Sequence, residues 1–142
     1  MNRVELFRRQ FPNLTDFELY ENTSDLYNCI SHSIGMKVWA WPKEGGHRNY
    51  WPISNMNEDK KSFDEFYAYH GYNICNMDFR YNPNYSKIAL YGKDNNPKHA
   101  AKQIDEIWWE SKIGQSEIIR HKLFDLEGFK YGDVIEIYQK IN

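Results

Sequence analysis

The chain has 142 residues with 18 basic and 20 acidic side chains, a net charge of −2, and is long enough for one domain with a real hydrophobic core. No run of Lys and Arg breaks that balance, which argues against a nucleic-acid footprint and against polybasic attachment to a membrane. No stretch reaches the ~20 apolar residues of a membrane span, and Met1 to Gln10 lacks an apolar run of secretory length.

A cytoplasmic protein with reduced thiols is therefore expected, with signal-independent export as the alternative. Two cysteines, Cys29 and Cys75, do not make a disulfide framework. The unusual figure is 17% aromatic, with five Trp and eleven Tyr. Such side chains fill cores, and Tyr and Trp also line clefts where one end of the ring stays wet.

In chain order, residues 2–10 read as a helix. Val4, Phe7 and Phe11 fall at helical spacing, Asn2 and Glu5 suit a capping box, and Pro12 ends it. Asn13 to Tyr20 is either a turn or an extended segment. A short helix that begins at Cys29 and stops at Gly35 follows. Thr23, Ser24, Asp25 and Asn28 lie upstream as N-cap types, and Gly35 suits the left-handed position past its end.

Lys37 to Trp41 is apolar and is closed by Pro42, Lys43 to Asn49 is a Gly-rich loop, and Tyr50-Trp51-Pro52 restores aromatic character. Ser62-Phe63-Asp64-Glu65 reads as a capping box opening a helix. Its apolar face holds Phe63, Phe66, Tyr67 and His70, and Gly71 stops it.

Lys87 to Tyr91 reads as a strand, Gly92 to Pro97 as a turn-rich loop, and Lys98–Ile104 with Ile107–Ile113 as a hairpin. Leu123 to Gly128 makes a turn or short helix, and Tyr131 to Lys140 closes the chain as a strand. Helices first and sheet strands second indicate a single α+β domain with N-terminal helices packed on a C-terminal antiparallel sheet.

The most reactive position is Cys29. A thiol in a first helical turn sits against the positive end of the helix dipole, which favours the thiolate. Against this, free cysteine is often a buried, inert side chain. A nucleophile also needs a base and a group to orient that base. Of the five histidines, His99 is best placed, at the start of a strand. His32 shares the helix of Cys29 but points outward from it, His47 lies in the Gly-rich loop, His70 completes an apolar face, and His121 is the reserve.

The orienting residue depends on the hairpin register. A two-residue loop at Asp105-Glu106 puts Glu110 on the His99 face, whereas a three-residue loop through Ile107 puts Ser111 there. Gln103 shares that face in both.

Cysteine at a helix start followed by histidine on a late strand resembles the papain-like fold, including its compact NlpC-type amidase branch. The His99-Ala100-Ala101-Lys102-Gln103 arm and Ser111-Lys112-Ile113-Gly114 fit that order. The chain also resembles an uncharacterised bacterial single-domain family. The matching blocks include Tyr27-Asn28-Cys29, Trp39-x-Trp41-Pro42, Tyr50-Trp51-Pro52, Lys87 to Tyr91, His99-Ala100-Ala101-x-Gln103, Trp109-x-Ser111-Lys112 and Tyr131-Gly132.

The papain resemblance implies a thiol hydrolase that cleaves a peptide or other amide or acyl bond and needs no cofactor. Cys29 would be the nucleophile, His99 the proton carrier, and Ser111 or Glu110 the orienting group. Asn28, Gln103 and the ring walls Trp39, Trp41 and Trp51 would meet the substrate. The sequence departs from the papain group in lacking a Gln shortly before the cysteine; Asn22, Thr23 and Asn28 are the polar groups there. The Cys29 backbone N–H remains as one oxyanion donor.

Two rivals stand beside this. A zinc set of Cys29, His32, Cys75 and His99 lacks paired ligand spacing, so no metal ligand is expected. A binding module of adaptor or immunity type would use the aromatic surface to hold a protein partner.

Overall fold

The computed structural model describes residues 2–20, 24–42, 49–115 and 117–142. Helix α1 (Arg3–Gln10) opens with Asn2, whose side chain accepts the Glu5 N–H at 2.9 Å. Its last turn carries Arg8 and Arg9, the favourable sign for that end. Phe7 and Phe11 are buried, while Val4 stays exposed. The ambiguous segment is both: it opens in a turn at Asn13 and ends extended in strand β1 (Glu18–Tyr20).

Helix α2 (Cys29–Ser33) follows, then β2 (Trp39–Ala40) and β3 (Asn49–Tyr50), which form a small parallel pair. Helix α3 (Lys60–Tyr69) starts earlier than the sequence suggests. Asp59 is its N-cap and accepts the Ser62 N–H at 3.0 Å, so Ser62 lies inside the first turn rather than before it. Phe63, Phe66 and Tyr67 of α3 are buried as expected.

The remaining strands are β4 (Asn73–Ile74), β5 (Tyr85–Lys93), β6 (Asn96–Gln103), β7 (Trp109–Lys112), β8 (Ile118–His121) and β9 (Asp133–Ile141). Leu123–Leu126 forms a short 3-10 turn before β9. Seven strands make one sheet in the order β1-β8-β7-β6-β5-β9-β4, and every neighbouring pair is antiparallel. The α+β class holds. The split between helices and strands is less clean than the sequence suggests, because β1 precedes the Cys29 helix and pairs at the sheet edge with β8.

The segment Gly92 to Pro97 is not a loop. β5 and β6 continue through it and turn on Asp94-Asn95 alone, both with positive φ (48° and 70°). That is the twist a two-residue hairpin needs, here without the usual glycine.

Apolar side chains cover both faces of the sheet. One face holds Phe7 and Phe11 of α1 with Ala89, Tyr91, Ala101, Trp109 and Ile119. The other holds Cys29 and Ile30 of α2, Phe63, Phe66 and Tyr67 of α3, and Ile88, Leu90, Ala100 and Tyr138. Adjacent residues of β6 therefore serve opposite faces, with His99 and Ala101 on the first and Ala100 on the second.

Gly132, which precedes β9, has φ +76°, and a Cβ there would fall on the Gly92 carbonyl. Gly132→Ala is expected to cost about 3 kcal/mol, from the left-handed backbone and the overlap together. A urea unfolding curve checks this, and an unchanged midpoint would refute it.

Candidate functional site

The site begins with Asn28. As N-cap of α2 it accepts the Ser31 N–H on its side chain at 3.2 Å. The same amide reaches across to β2, donating to the Ala40 carbonyl at 2.7 Å and accepting the Ala40 N–H at 3.3 Å. Its hydrogen bonds are thus spent on structure. Asn28 lies in the wall of the cleft described below, but its amide holds α2 against β2 and is not held ready for substrate.

Cys29 is the first helical residue. α2 packs over β6 and β7 where those strands part. Their ladder covers only Lys102↔Glu110 and Gln103↔Trp109, so Ala100 is outside it. The Ala100 N–H instead acts on the Cys29 sulfur, as do the N–H groups of Ile30 and of Cys29 itself.

Cys29 lines a cleft of about 750 Å³. Trp39, Trp41, Lys98, Lys130 and Tyr131 also line it, with Arg3, Phe7, Ile113 and Gln115 among the rest. Cys29 is 8% exposed.

Burial decides the charge state of the thiol. It pushes the Cys29 pKa up to about 11; the three N–H groups and the Lys112 ammonium pull the other way and do not offset it. The expectation of a ready thiolate is thereby overturned. A five-residue helix offers a small dipole, and desolvation outweighs it. Lys112 is itself buried, donating to the Ser24 carbonyl at 2.8 Å and the Gly114 carbonyl at 2.9 Å, with its ammonium 5.1 Å from the Tyr27 ring centre.

His99 is 0% exposed. Its ring lies parallel on Tyr131, with centroids 4.1 Å apart and planes 3° apart, and tilts against Tyr91. Neither ring nitrogen has a hydrogen-bond partner, and no other buried side-chain N or O among the described residues shares that condition. Burial holds its pKa well below the usual value, with the neighbouring His121, His32 and Lys130 acting in the same direction. His99 is therefore neutral at pH 7 and is not hydrogen-bonded to Cys29. What links them is adjacency: the residue after His99 supplies an N–H to the sulfur, and Tyr131 both covers His99 and lines the cleft beside Cys29.

The β6–β7 hairpin uses the three-residue loop. Ile104 takes the Trp108 carbonyl at 2.8 Å, leaving Asp105 to Ile107 as the turn. Ser111 therefore lies on the His99 face. Its hydroxyl is 2.7 Å from Nε2 of His121, however, and makes no bond to His99. The Nδ1–H of His121 donates to the Lys122 carbonyl at 2.9 Å, which leaves Nε2 to accept the Ser111 proton.

Glu110 does not orient His99. It lies on the opposite face, bound to His32 Nε2 at 2.9 Å and Arg120 Nε at 3.0 Å, and those contacts take its pKa down to about 2. Gln103 is also corrected: it donates to the Phe79 carbonyl at 2.8 Å and is not in the cleft lining. Trp51 is core, stacked on Phe66 at 4.4 Å with its N–H on the Asn55 carbonyl. Trp39 and Trp41 do line the cleft. The indole N–H of Trp41 donates to Glu58 at 2.5 Å.

His70 pairs with the Tyr50 hydroxyl at 3.0 Å, in keeping with a place at the rim of the core. His47, Asn22 and Thr23 lie outside the described residues. Among the described residues no three His, Cys, Asp or Glu side chains converge as metal ligands. The zinc set is not assembled, since His32 is spent on Glu110 and Cys75 on the Ile137 carbonyl.

Sequence reasoning missed Tyr131, Lys98 and Lys130. Tyr131-Gly132 stood out as a block, yet nothing in a period of two or 3.6 marks which residues of separate elements share a cavity.

An α+β protein with a cysteine-bearing cleft is the class these features define. Residues 18–139 match the family described as Domain of unknown function (DUF7689), and the chain belongs to that family. No curated protein and no solved structure matches it. No helix among the described residues is long and apolar enough to cross a membrane.

Proposed function

We propose that the protein is a cysteine-dependent hydrolase of amide or acyl bonds, with Cys29 as nucleophile and His99 as proton carrier on a papain-like arrangement. The observation that carries this is His99: a fully buried imidazole with both nitrogens unpartnered, one residue from the N–H that meets the Cys29 sulfur. Buried polar groups are almost always satisfied, and a native exception calls for a functional reason. A papain-like architecture is supported by the chain order and by the Cys helix resting on the His strand.

In the resting state the sulfur holds its proton and the imidazole is neutral. Catalytic hydrogen bonds in unliganded sites are commonly open and close when substrate binds. For His99 to take the Sγ proton as Sγ bonds to the carbonyl carbon, its imidazole must first turn from the Tyr131 face of β6 towards the cleft, whose lining it does not reach at rest. The imidazolium returns that proton to the leaving amine or alcohol as the C–N or C–O bond breaks. Water, deprotonated by His99, then cleaves the thioester. The Cys29 N–H, one of the orphan donors of a first helical turn, acts on the sulfur at rest and would have to turn to the developing oxyanion as that forms.

A second reading, a peptide-binding module without chemistry, is favoured by one observation: a thiol pKa of about 11. p-Nitrophenyl acetate separates the two. The hydrolase should release p-nitrophenol in a burst and carry an acetyl group on Cys29, located by peptide mass mapping in a Cys75→Ser background. His99→Phe should slow that acetylation by about 100-fold or more. Acetyl groups on lysines alone would leave only the binding reading.

A further inference from the structure

The cleft lining combines cationic and aromatic side chains. Lys98, the third residue of β6, precedes His99 and Lys130 precedes Tyr131, and both lysines line the cleft. Among the described residues neither lysine makes a salt bridge, although the chain as a whole is slightly acidic. Among the described lining residues Glu58 is the acidic one and accepts the Trp41 indole N–H, and the third cation, Arg3, is paired with Glu117.

Trp39 and Trp41 line the same cleft. The Trp41 ring is fixed by an edge contact with Phe63 at 5.2 Å as well as by its hydrogen bond to Glu58. A wall already immobilised loses little freedom when a ligand packs on it.

We propose that the cleft selects peptides bearing a carboxylate next to an aromatic or apolar residue, the carboxylate meeting Lys98 and Lys130 and the apolar group meeting Trp39 and Trp41. Two like charges lining one cleft repel each other, and an anion between them relieves that repulsion. The indole faces supply apolar contact without demanding a particular side chain. This assignment rests on the cleft being the substrate site of the hydrolase, but its test reads binding and not turnover.

The probes are dye-labelled short peptides, acetylated and amidated at their ends, identical except for Glu, Gln or Lys beside a Phe. Anisotropy titrations use the full chain carrying Cys29→Ala. The Glu peptide should bind about three- to tenfold tighter than the Gln peptide, and the Lys peptide weakest. High salt, and the double variant Lys98→Ala, Lys130→Ala, should each bring the three peptides together. The Gln peptide with a free C-terminal carboxylate tests the other source of the same group; tighter binding of that peptide than of the Glu peptide would assign the lysines to chain ends and overturn the side-chain version. Equal affinities for Glu, Gln and Lys peptides, a preference that survives in the double variant, or no binding of any peptide would also overturn it. Acetylation of Cys29 without a charge preference would remove this inference alone. A charge preference without acetylation would remove the hydrolase alone.

Discussion

Cys29→Ala is expected to reduce hydrolysis on the order of 10⁴-fold while leaving the fold in place, because it removes the proposed nucleophile, a residue of the cleft lining. The more telling variant is His99→Phe. A buried imidazole with no partner costs the fold its desolvation with nothing in return, whereas an apolar ring of similar shape incurs no such cost. Phe also keeps the parallel stack on Tyr131. His99→Phe should therefore stabilise the protein by about 1 kcal/mol and at the same time lower hydrolysis by about 10²- to 10⁴-fold. Opposite signs in the two measurements mark a residue kept for chemistry against the interest of the core. If His99→Phe destabilises by several kcal/mol, or leaves turnover untouched, the imidazole is a packing residue and the proton carrier lies elsewhere. Ser111→Ala should behave differently. It removes the donor to His121 and loses stability without a matching loss of turnover, since Ser111 makes no bond to His99.

Local signals in the sequence are legible where residue type dictates backbone geometry. Asn28 caps α2 and Gly35, with φ +76°, follows its end, as their types imply. The strand at Lys87–Tyr91 was recognisable from its run of apolar residues. Where two residues could do the same work, the choice was made by packing. Asp59 and Ser62 both suit an N-cap, and the chain uses Asp59 because Ser62 turns its hydroxyl back to the Asn57 and Asp59 carbonyls. The turn at Asp94-Asn95 was hidden because Asn in place of Gly at its second position weakens the hairpin signal.

Parity was the limit for the site. One residue of loop length decides whether Glu110 or Ser111 faces His99, and the sequence carries both versions equally well. The charge state of Cys29 was beyond reach for another reason: desolvation depends on what α2 packs against, and a first-turn dipole argument contains no term for it.

Acidification should destabilise the protein well before its carboxylates are protonated. His121 is buried and its pKa is pushed down to about 4, with burial outweighing the Lys122 carbonyl and the nearby Asp125 and Glu110 charges. His99 is displaced in the same direction, by burial first and then by His121, His32 and Lys130. In the unfolded chain both regain the ordinary value near 6.5. Between the two values the unfolded state binds more protons, so stability rises with pH there. The contribution is fully present above about pH 6.5 and is lost as pH falls towards about 4, where His121 protonates in the folded protein.

For His121 alone that loss amounts to about 3 kcal/mol, a large share of what holds a domain of this size together. Glu110 acts lower on the scale. His32 and Arg120 hold its pKa near 2, so its share is present above about 4.5 and disappears only as pH falls from there. Urea unfolding followed from about pH 7 to about pH 4 should show a steady fall in free energy, and His99→Phe should make that fall shallower, because one of the two titrating groups is gone. A flat profile across this range would mean that both imidazoles find water or a partner in solution. The orphaned state of His99, on which the catalytic reading depends, would then be lost with it.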